Sequence, residues 1–424
     1  MTLLLLGSFT LLFLFGWPVV LAVMLPAIAY VLWNGFPLEL VGQRMVYALD
    51  SFPLVAVPIF IFVGNLMNQA GITERIYRFS STLVARIHGG LAQVNIFASL
   101  VFSGMSGAAL ADVGGLGRIE VKAMTSHGFK REFAGALTCA SAIVGPIFPP
   151  SIPLIIYGSV TNVSIVQLLI AGIVPALICV AMLMITVAIL AWFRNFPRAE
   201  RWPSFRELWD SFLPALPALL TPVLLICGML VGWFTPTEAA SVTVAYVIFI
   251  SAVIYRTLTW HHLLVSAYET LKSTAAILII VSAAALFGWI MAIEQIPQTV
   301  ARELLSLSRD PLMLLLIVNL LLLVVGMFLD STTATLLVIP IIAGPLHMAG
   351  VDPVHLGIVA IFNLMLGLLT PPMGLALFLI SDIAKVSMRA VLKEMIPFYI
   401  PLVGTLVIIT LFPELTLWLP KMLR

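Results

Sequence analysis

Gly145-Pro146-Ile147-Phe148-Pro149-Pro150-Ser151 has a counterpart 222 residues further along, Gly367-Leu368-Leu369-Thr370-Pro371-Pro372-Met373, and each lies within a long apolar stretch. Proline lacks a backbone donor and its ring clashes with the carbonyl four residues back. An adjacent pair in the middle of a membrane-length helix therefore breaks it and releases carbonyl oxygens. The same offset relates Gly104-Met105 to Gly326-Met327, Gly128 to Gly350 and Pro175 to Pro397. Duplicated hydrophobic segments interrupted by glycine and proline are the sequence mark of a secondary transporter's midplane binding site.

Composition sets the solvent. Of 424 residues 62% are hydrophobic and 9% charged, against roughly 25% charged in a soluble domain, so the chain reads as an all-α polytopic membrane protein. The net charge of +2 gives no reason to expect nucleic acid. There is no GxxxxGK[ST] loop for ATP and no HExxH or GxSxG constellation, so an enzyme is not expected. Cys139, Cys179 and Cys227 lie in apolar runs without CxxC spacing and read as small buried hydrophobes. His88, His127, His261, His262, His347 and His355 fall in loops or near interfaces without metal spacing. No Lys or Arg precedes Arg44, so residues 2–33 read as mature membrane sequence rather than a cleaved leader.

Stretches long enough for a hydrocarbon core of ~30 Å run over about 2–33, 53–70, 133–160, 168–193, 212–234, 236–255, 274–293, 354–382 and 396–419. The first is long enough for two spans. Between them, 90–125 and 311–349 are interrupted near their middles, by Ser103-Gly104-Met105-Ser106-Gly107 and by Gly326-Met327-Phe328-Leu329-Asp330-Ser331-Thr332. Non-helical backbone at that depth must be buried in protein or face a polar cavity.

Charge orients the copies. Segment 118–131 carries Arg118, Lys122, Lys130 and Arg131, whereas its partner 340–353 has no Lys or Arg. Segment 163–171 has none, whereas its partner 385–393 carries Lys385, Arg389 and Lys393. Cytoplasmic loops concentrate Lys and Arg, so the copies are expected to lie in opposite orientations, as an inverted repeat with two re-entrant helical hairpins and two discontinuous helices. Arg75, Arg78 and Arg86 place 71–89 inside, and Arg194, Arg198, Arg201 and Arg206 mark the central cytoplasmic loop.

Three groups of residues carry chemistry. Carbonyls freed at the proline pairs, with half-helix C-termini, suit Na⁺. Ser103, Ser106 and Gly107 at the first tip, and Asp330, Ser331, Thr332 and Thr333 at the second, offer small oxygen donors. Asp330 and Asp112 are ionisable groups in apolar surroundings, hence candidate sites; Asp112 equally suits a cap or a pair with Arg118. The third patch, Thr235-Pro236-Thr237-Glu238, reads as a capped helix start.

Four motifs in order, Ser103–Gly107, Gly145–Ser151, Phe234-Thr235-Pro236-Thr237-Glu238-Ala239-Ala240 and Leu369-Thr370-Pro371-Pro372-Met373-Gly374, resemble the large membrane subunit of tripartite ATP-independent periplasmic (TRAP) transporters. The likeness runs from Leu49-Asp50-Ser51-Phe52-Pro53 to about Pro413. It implies an elevator-type, Na⁺-coupled symporter of the bacterial inner membrane, similar to the ion-transporter superfamily. It implies scaffold helices over 1–70, 176–293 (with the central loop) and 396–424. The transport-domain repeats would be 71–175, with hairpin 90–125 and broken helix 133–160, and 294–395, with hairpin 311–349 and broken helix 354–382.

The resemblance also implies a small four-helix membrane subunit and a periplasmic solute-binding protein as partners, and an organic anion, a carboxylate (dicarboxylates and sialic acid included) or a sulfonate, as cargo. Ser103, Gly104, Ser106, Gly145 and Pro149 would frame one Na⁺ site; Gly326, Asp330, Thr332, Gly367 and Thr370 would frame the second. The anion would lie between tips and breaks, at Ser103, Ser106, Pro150, Ser151, Thr332, Pro371 and Pro372. Relatives commonly carry Ser after the first tip glycine and Pro before the exit Met; this chain has Ala108 and Lys122. A single-component Na⁺/anion symporter of the same superfamily is the alternative.

Overall fold

The computed structural model describes residues 2–84, 86–87, 89–196 and 203–423; His88, Arg198 and Arg201 lie outside them. The described residues are helical throughout, with no strand. Among the described residues eight helices are long and apolar enough to cross a membrane, including Phe52–Gln69, Ile165–Arg194, Phe205–Leu230, Pro236–Ile254 and Trp260–Ile293.

Both interrupted stretches form helical pairs. In the first hairpin Leu91–Ser106 ends at Gly107, whose φ of +66° is the left-handed region that a side chain disfavours, and the chain continues as Ala109–Gly114 and Leu116–Ser126. In the second, Pro311–Phe328 stops at Leu329-Asp330 and Ser331–Met348 runs on unbroken. Both proline pairs interrupt their helices as the sequence requires. Arg131–Ala142 gives way to irregular backbone until Ile152–Thr161, and Pro353–Gly367 until Leu375–Ala384. The Pro149–Pro150 and Pro371–Pro372 bonds are both cis. Lone prolines behave differently: Pro214, Pro217 and Pro222 all sit within the continuous helix Phe205–Leu230, because neighbouring groups can satisfy one freed carbonyl at a time.

The halves interlock. Ile152–Thr161, after the first break, packs on Ser331–Met348 of the second hairpin. Leu375–Ala384, after the second break, packs on Arg131–Ala142 and on the first tip helix Ala109–Gly114. Around this centre run Ala56–Gln69 and Trp260–Ile293, which pack closely on each other. At one end Phe133 touches Phe129, Phe196 and Phe398. Arg194 lies over the Phe133 ring and pairs with Glu394 at 2.5 Å, tying Ile173–Arg194 to Met388–Leu411.

Residues 2–33, long enough for two spans, form two helices, Thr2–Leu14 and Val19–Trp33, divided near Gly16 at φ +80°. Several expectations are corrected. The span expected over 274–293 begins at Trp260, capped by Thr259 Oγ1 accepting from His262 N at 3.2 Å. That expected over 396–419 begins at Met388, capped by Ser387, and ends at Leu411 before a short helix, Glu414–Met422. Hydropathy marks the membrane-facing part of a helix, not the polar turns that continue it. Cys139 and Cys179 are buried, but Cys227 is exposed, since an apolar side chain in such a helix faces lipid as readily as protein. His355 is no loop residue: it is buried in Pro353–Gly367, its Nδ1 2.9 Å from Thr416 Oγ1.

Thr235-Pro236-Thr237-Glu238 is the expected capping box. Thr235 Oγ1 accepts from Glu238 N at 3.4 Å, and Glu238 Oε2 accepts from Thr235 N at 2.8 Å. Thr235→Ala is expected to cost ~1 kcal/mol of stability, read as a lower melting temperature in detergent, with the concentration dependence of uptake unchanged. An altered ion or substrate dependence would give this motif a functional role instead.

Candidate functional site

Each hairpin tip is tied to the break of its own repeat by a backbone bond whose donors, though not acceptors, are equivalent in sequence. Ile152 N donates to Gly107 O at 3.2 Å, and Gly374 N, 222 positions on, donates to Met327 O at 3.4 Å. Close backbone approach makes these junctions possible. A Cβ on Gly107 would meet Pro150 O at 2.6 Å, and a Cβ on Gly367 would overlap the Gly326 backbone.

The repeats place their carboxylates differently. Asp330 caps Ser331–Met348, its Oδ2 accepting from Thr332 N at 3.0 Å and Thr333 N at 3.2 Å, while Oδ1 accepts from Thr333 Oγ1. The equivalent position in the first hairpin is Ala108, which gives its helix no side-chain cap. The carboxylate there is Asp112, one turn into the tip helix. It is 2% exposed, its Oδ1 accepts from Ser106 Oγ, and its Oδ2 has no hydrogen-bond partner among the described residues. Asp112 forms no ion pair with Arg118. A Cβ on Gly145 would collide with Asp112 Oδ2, so the first break lies directly against an unpaired carboxylate oxygen. Burying such an oxygen without a donor is costly, and a hard cation at this point would answer it. The surrounding Ser106 hydroxyl and the carbonyls of the broken helix are the oxygen donors that a cation of that kind takes.

The remaining expected ligands are sorted by the fold. Ser103 is fully buried and donates to Ser99 O at 2.5 Å. Ser151 Oγ caps Ile152–Thr161 by accepting from Leu154 N, and donates to Pro146 O. Gly104 packs on Pro222, where a Cβ would lie 2.7 Å from the proline ring. Thr370 Oγ1 donates to Leu366 O at 2.9 Å, and Tyr399 Oη donates to Leu369 O beside it. Pro149 and Pro150 are buried, whereas Pro372 is exposed.

One cavity of about 810 Å³ brings together Ser106 and Ala108–Ala111 of the first tip, Pro146 and Ile152 of the first break, Asp330–Thr332 of the second tip and Leu368 of the second break. Ser103, Gly104, Gly145, Pro149, Pro150, Ser151, Gly326, Gly367, Thr370, Pro371 and Pro372 stand off its wall. The opposite wall is Asn65, Asn68 and Gln69 of Ala56–Gln69, Thr73 and Glu74 of Ile72–Val84, and Ser266, Glu269 and Ser273 of Trp260–Ile293. Arg118 supplies the one Lys or Arg side chain on the described lining, and it forms no ion pair among the described residues. The sequence had not singled out Arg118 or this far wall as site. Asn65 and Asn68, three residues apart on one face of an otherwise apolar span, were the signal available.

Comparison with known proteins bears on this arrangement. Residues 6–415 match the family model described as tripartite ATP-independent periplasmic transporter, DctM component. The chain is 44% identical over 411 residues to the sialic acid TRAP transporter large permease protein SiaM of Vibrio cholerae, covering 96% of this chain and 95% of that protein. It is 40% identical over 408 residues to the sialic acid TRAP transporter permease protein SiaT of Haemophilus influenzae, covering 96% of this chain and 66% of that one. Among solved structures the YdaH transporter of Alcanivorax borkumensis aligns with a TM-score of 0.58 over 88% of each chain at 14% identity, a likeness of fold alone.

Proposed function

This chain belongs to the DctM component family of tripartite ATP-independent periplasmic transporters, whose members are large permease subunits of the bacterial inner membrane, and on that premise we propose that it carries an organic anion inward with Na⁺. Family members work with a small membrane subunit and a periplasmic binding protein; this chain takes the same two partners. The two hairpins and broken helices form an inverted pair that moves as one body against the remaining helices, in the manner of an elevator.

The observation that carries the reading is the shared cavity. Its volume of about 810 Å³ falls in the range of small-molecule sites. Both tips and both breaks reach it from one side, and Ala56–Gln69 with Trp260–Ile293 closes the other. Glu74, Glu269 and Asp330 line it together with Arg118, so its carboxylates outnumber its cation. An anion entering such a wall meets net repulsion unless cations enter with it. That is a physical reason for cation coupling. Na⁺ at the first break would sit among Ser103, Ser106, Gly145 and Pro149 beside Asp112, and at the second among Gly326, Asp330, Thr332, Gly367 and Thr370. The amide and hydroxyl wall of Asn65, Asn68, Thr73 and Ser266 suits a hydroxyl-rich acid, and the relatives above are named for sialic acid. We therefore favour a hydroxylated sugar acid over a dicarboxylate.

The test is uptake of sialic acid into proteoliposomes holding this chain and its small subunit. Uptake is expected to require both an inward Na⁺ gradient and the loaded binding protein. Uptake without binding protein would support the single-component alternative, and uptake indifferent to Na⁺ would remove the coupling.

A further inference from the structure

Behind the first tip lies a buried polar circuit that neither the cavity nor the breaks use. Glu120, on Leu116–Ser126, is 1% exposed. Its Oε2 accepts from Asn95 Nδ2 at 2.9 Å, and its Oε1 lies 3.3 Å from Ser99 Oγ. Ser99 Oγ lies 2.9 Å from Ser141 Oγ, and Ser141 Oγ lies 2.8 Å from Asn95 Oδ1. The second hydrogen of Asn95 Nδ2 points to Thr138 Oγ1 at 2.7 Å. Three helices, Leu91–Ser106, Leu116–Ser126 and Arg131–Ala142, are joined through these side chains.

Counting protons bears on the state of the acid. Around the ring three oxygen-to-oxygen contacts, Glu120–Ser99, Ser99–Ser141 and Ser141–Asn95, each call for one hydrogen, and the two serine hydroxyls supply two; outside the ring Ser141 Oγ also lies 3.1 Å from Thr138 O, which competes for the same hydrogen. With a proton on Glu120 Oε1 the circuit closes in one direction. Glu120 donates to Ser99, Ser99 to Ser141, Ser141 to Asn95 Oδ1, and Asn95 Nδ2 back to Glu120 Oε2. Without that proton one contact is left lone pair against lone pair. Turning the Asn95 amide over does not help, because Oδ1 then faces Glu120 Oε2 and that contact needs the hydrogen instead.

The surroundings agree. Glu120 forms no ion pair with a Lys, Arg or His among the described residues. The charged or titratable groups facing it from the packed helices are Asp112 on Ala109–Gly114 and Tyr77 on Ile72–Val84. Cys139 on Arg131–Ala142 turns away, to Ala376 O. An unpaired buried carboxylate beside a second carboxylate is among the most costly arrangements in a protein.

We infer that Glu120 is a resident proton site, a neutral carboxylic acid that pins the exit arm of the first hairpin. The proton is structural and stays through the transport cycle. It is distinct from the coupling ions, so it stands whether or not Na⁺ is the coupling ion.

Infrared difference spectroscopy of the purified full chain at neutral pH, wild type minus E120Q, tests this. The expected spectrum contains the C=O stretch of a protonated carboxyl, shifted in D₂O; a spectrum containing only carboxylate stretches overturns the inference. Glutamine replaces the acid O–H with an N–H donor, so E120Q is expected to keep its melting temperature and its uptake within about threefold of wild type, whereas E120A melts lower. Melting of E120Q as low as E120A overturns the inference too. If E120Q does not fold, S99A takes its place. Removal of the acceptor hydroxyl is expected to shift the same acid band, and an unshifted spectrum counts against the assignment.

Discussion

Arg118→Gln is expected to raise the substrate concentration for half-maximal uptake by about 10- to 100-fold, the size of one or two charge-assisted hydrogen bonds of ~1.5–3 kcal/mol. The reason is the balance of the cavity wall, which carries Arg118 as its one Lys or Arg and Glu74, Glu269 and Asp330 as carboxylates among the described residues. An organic anion has one guanidinium to meet there, and it forms no competing ion pair among the described residues. Initial uptake rates against substrate concentration, at fixed saturating Na⁺, check the prediction. Glu269→Gln should move the same curve the other way, by less, because that carboxylate is exposed and screened. An Arg118→Gln curve superimposable on wild type would remove Arg118 from the substrate's path.

Gly367→Ala is expected to lower stability by roughly 1–3 kcal/mol and to reduce uptake at least about tenfold. The added Cβ would fall on the carbonyl carbon of Gly326, and a Cβ on Gly326 would lie 2.9 Å from Leu364 O. Both obstacles are backbone, so no rotamer change relieves them and the second hairpin must move off its broken helix. The matched substitution in the first repeat is milder in kind. At Gly145 the obstacle is the Asp112 carboxylate, a side chain able to turn aside. Gly288 and Gly344 are helical glycines with open space where a Cβ would go. Alanine there is expected to be neutral or to stabilise, by up to ~1 kcal/mol. Melting temperatures of the four variants, with uptake measured alongside, separate a packing collision from a general intolerance of alanine.

That contrast shows where sequence reading reaches. Gly145 and Gly367 are equivalent in sequence, and nothing local distinguishes what each touches. Likewise Asp330 and Asp112 are both acids within apolar stretches. Only the packed structure shows that one spends its oxygens capping its own helix, while the other keeps a buried oxygen without a partner against the first break. Arg118 read from the sequence as part of a basic loop cluster. In the fold it lines the cavity, because Leu116–Ser126 carries it back along the hairpin.

What the sequence by itself determined are the properties set within a few residues or by bulk composition. These are the membrane as solvent, the two interrupted hairpins, the two proline breaks and the matched order of elements at a spacing of 222. Proline's missing donor, glycine's backbone freedom and the cost of charge in hydrocarbon act locally, so they can be read locally. The tertiary structure alone decided which oxygens are left unpaired, which helices wall the cavity and which acid the Asn95–Ser99–Ser141 circuit encloses. Those outcomes depend on side chains brought together from distant parts of the chain, and burial and hydrogen bonding exist only once that packing is made.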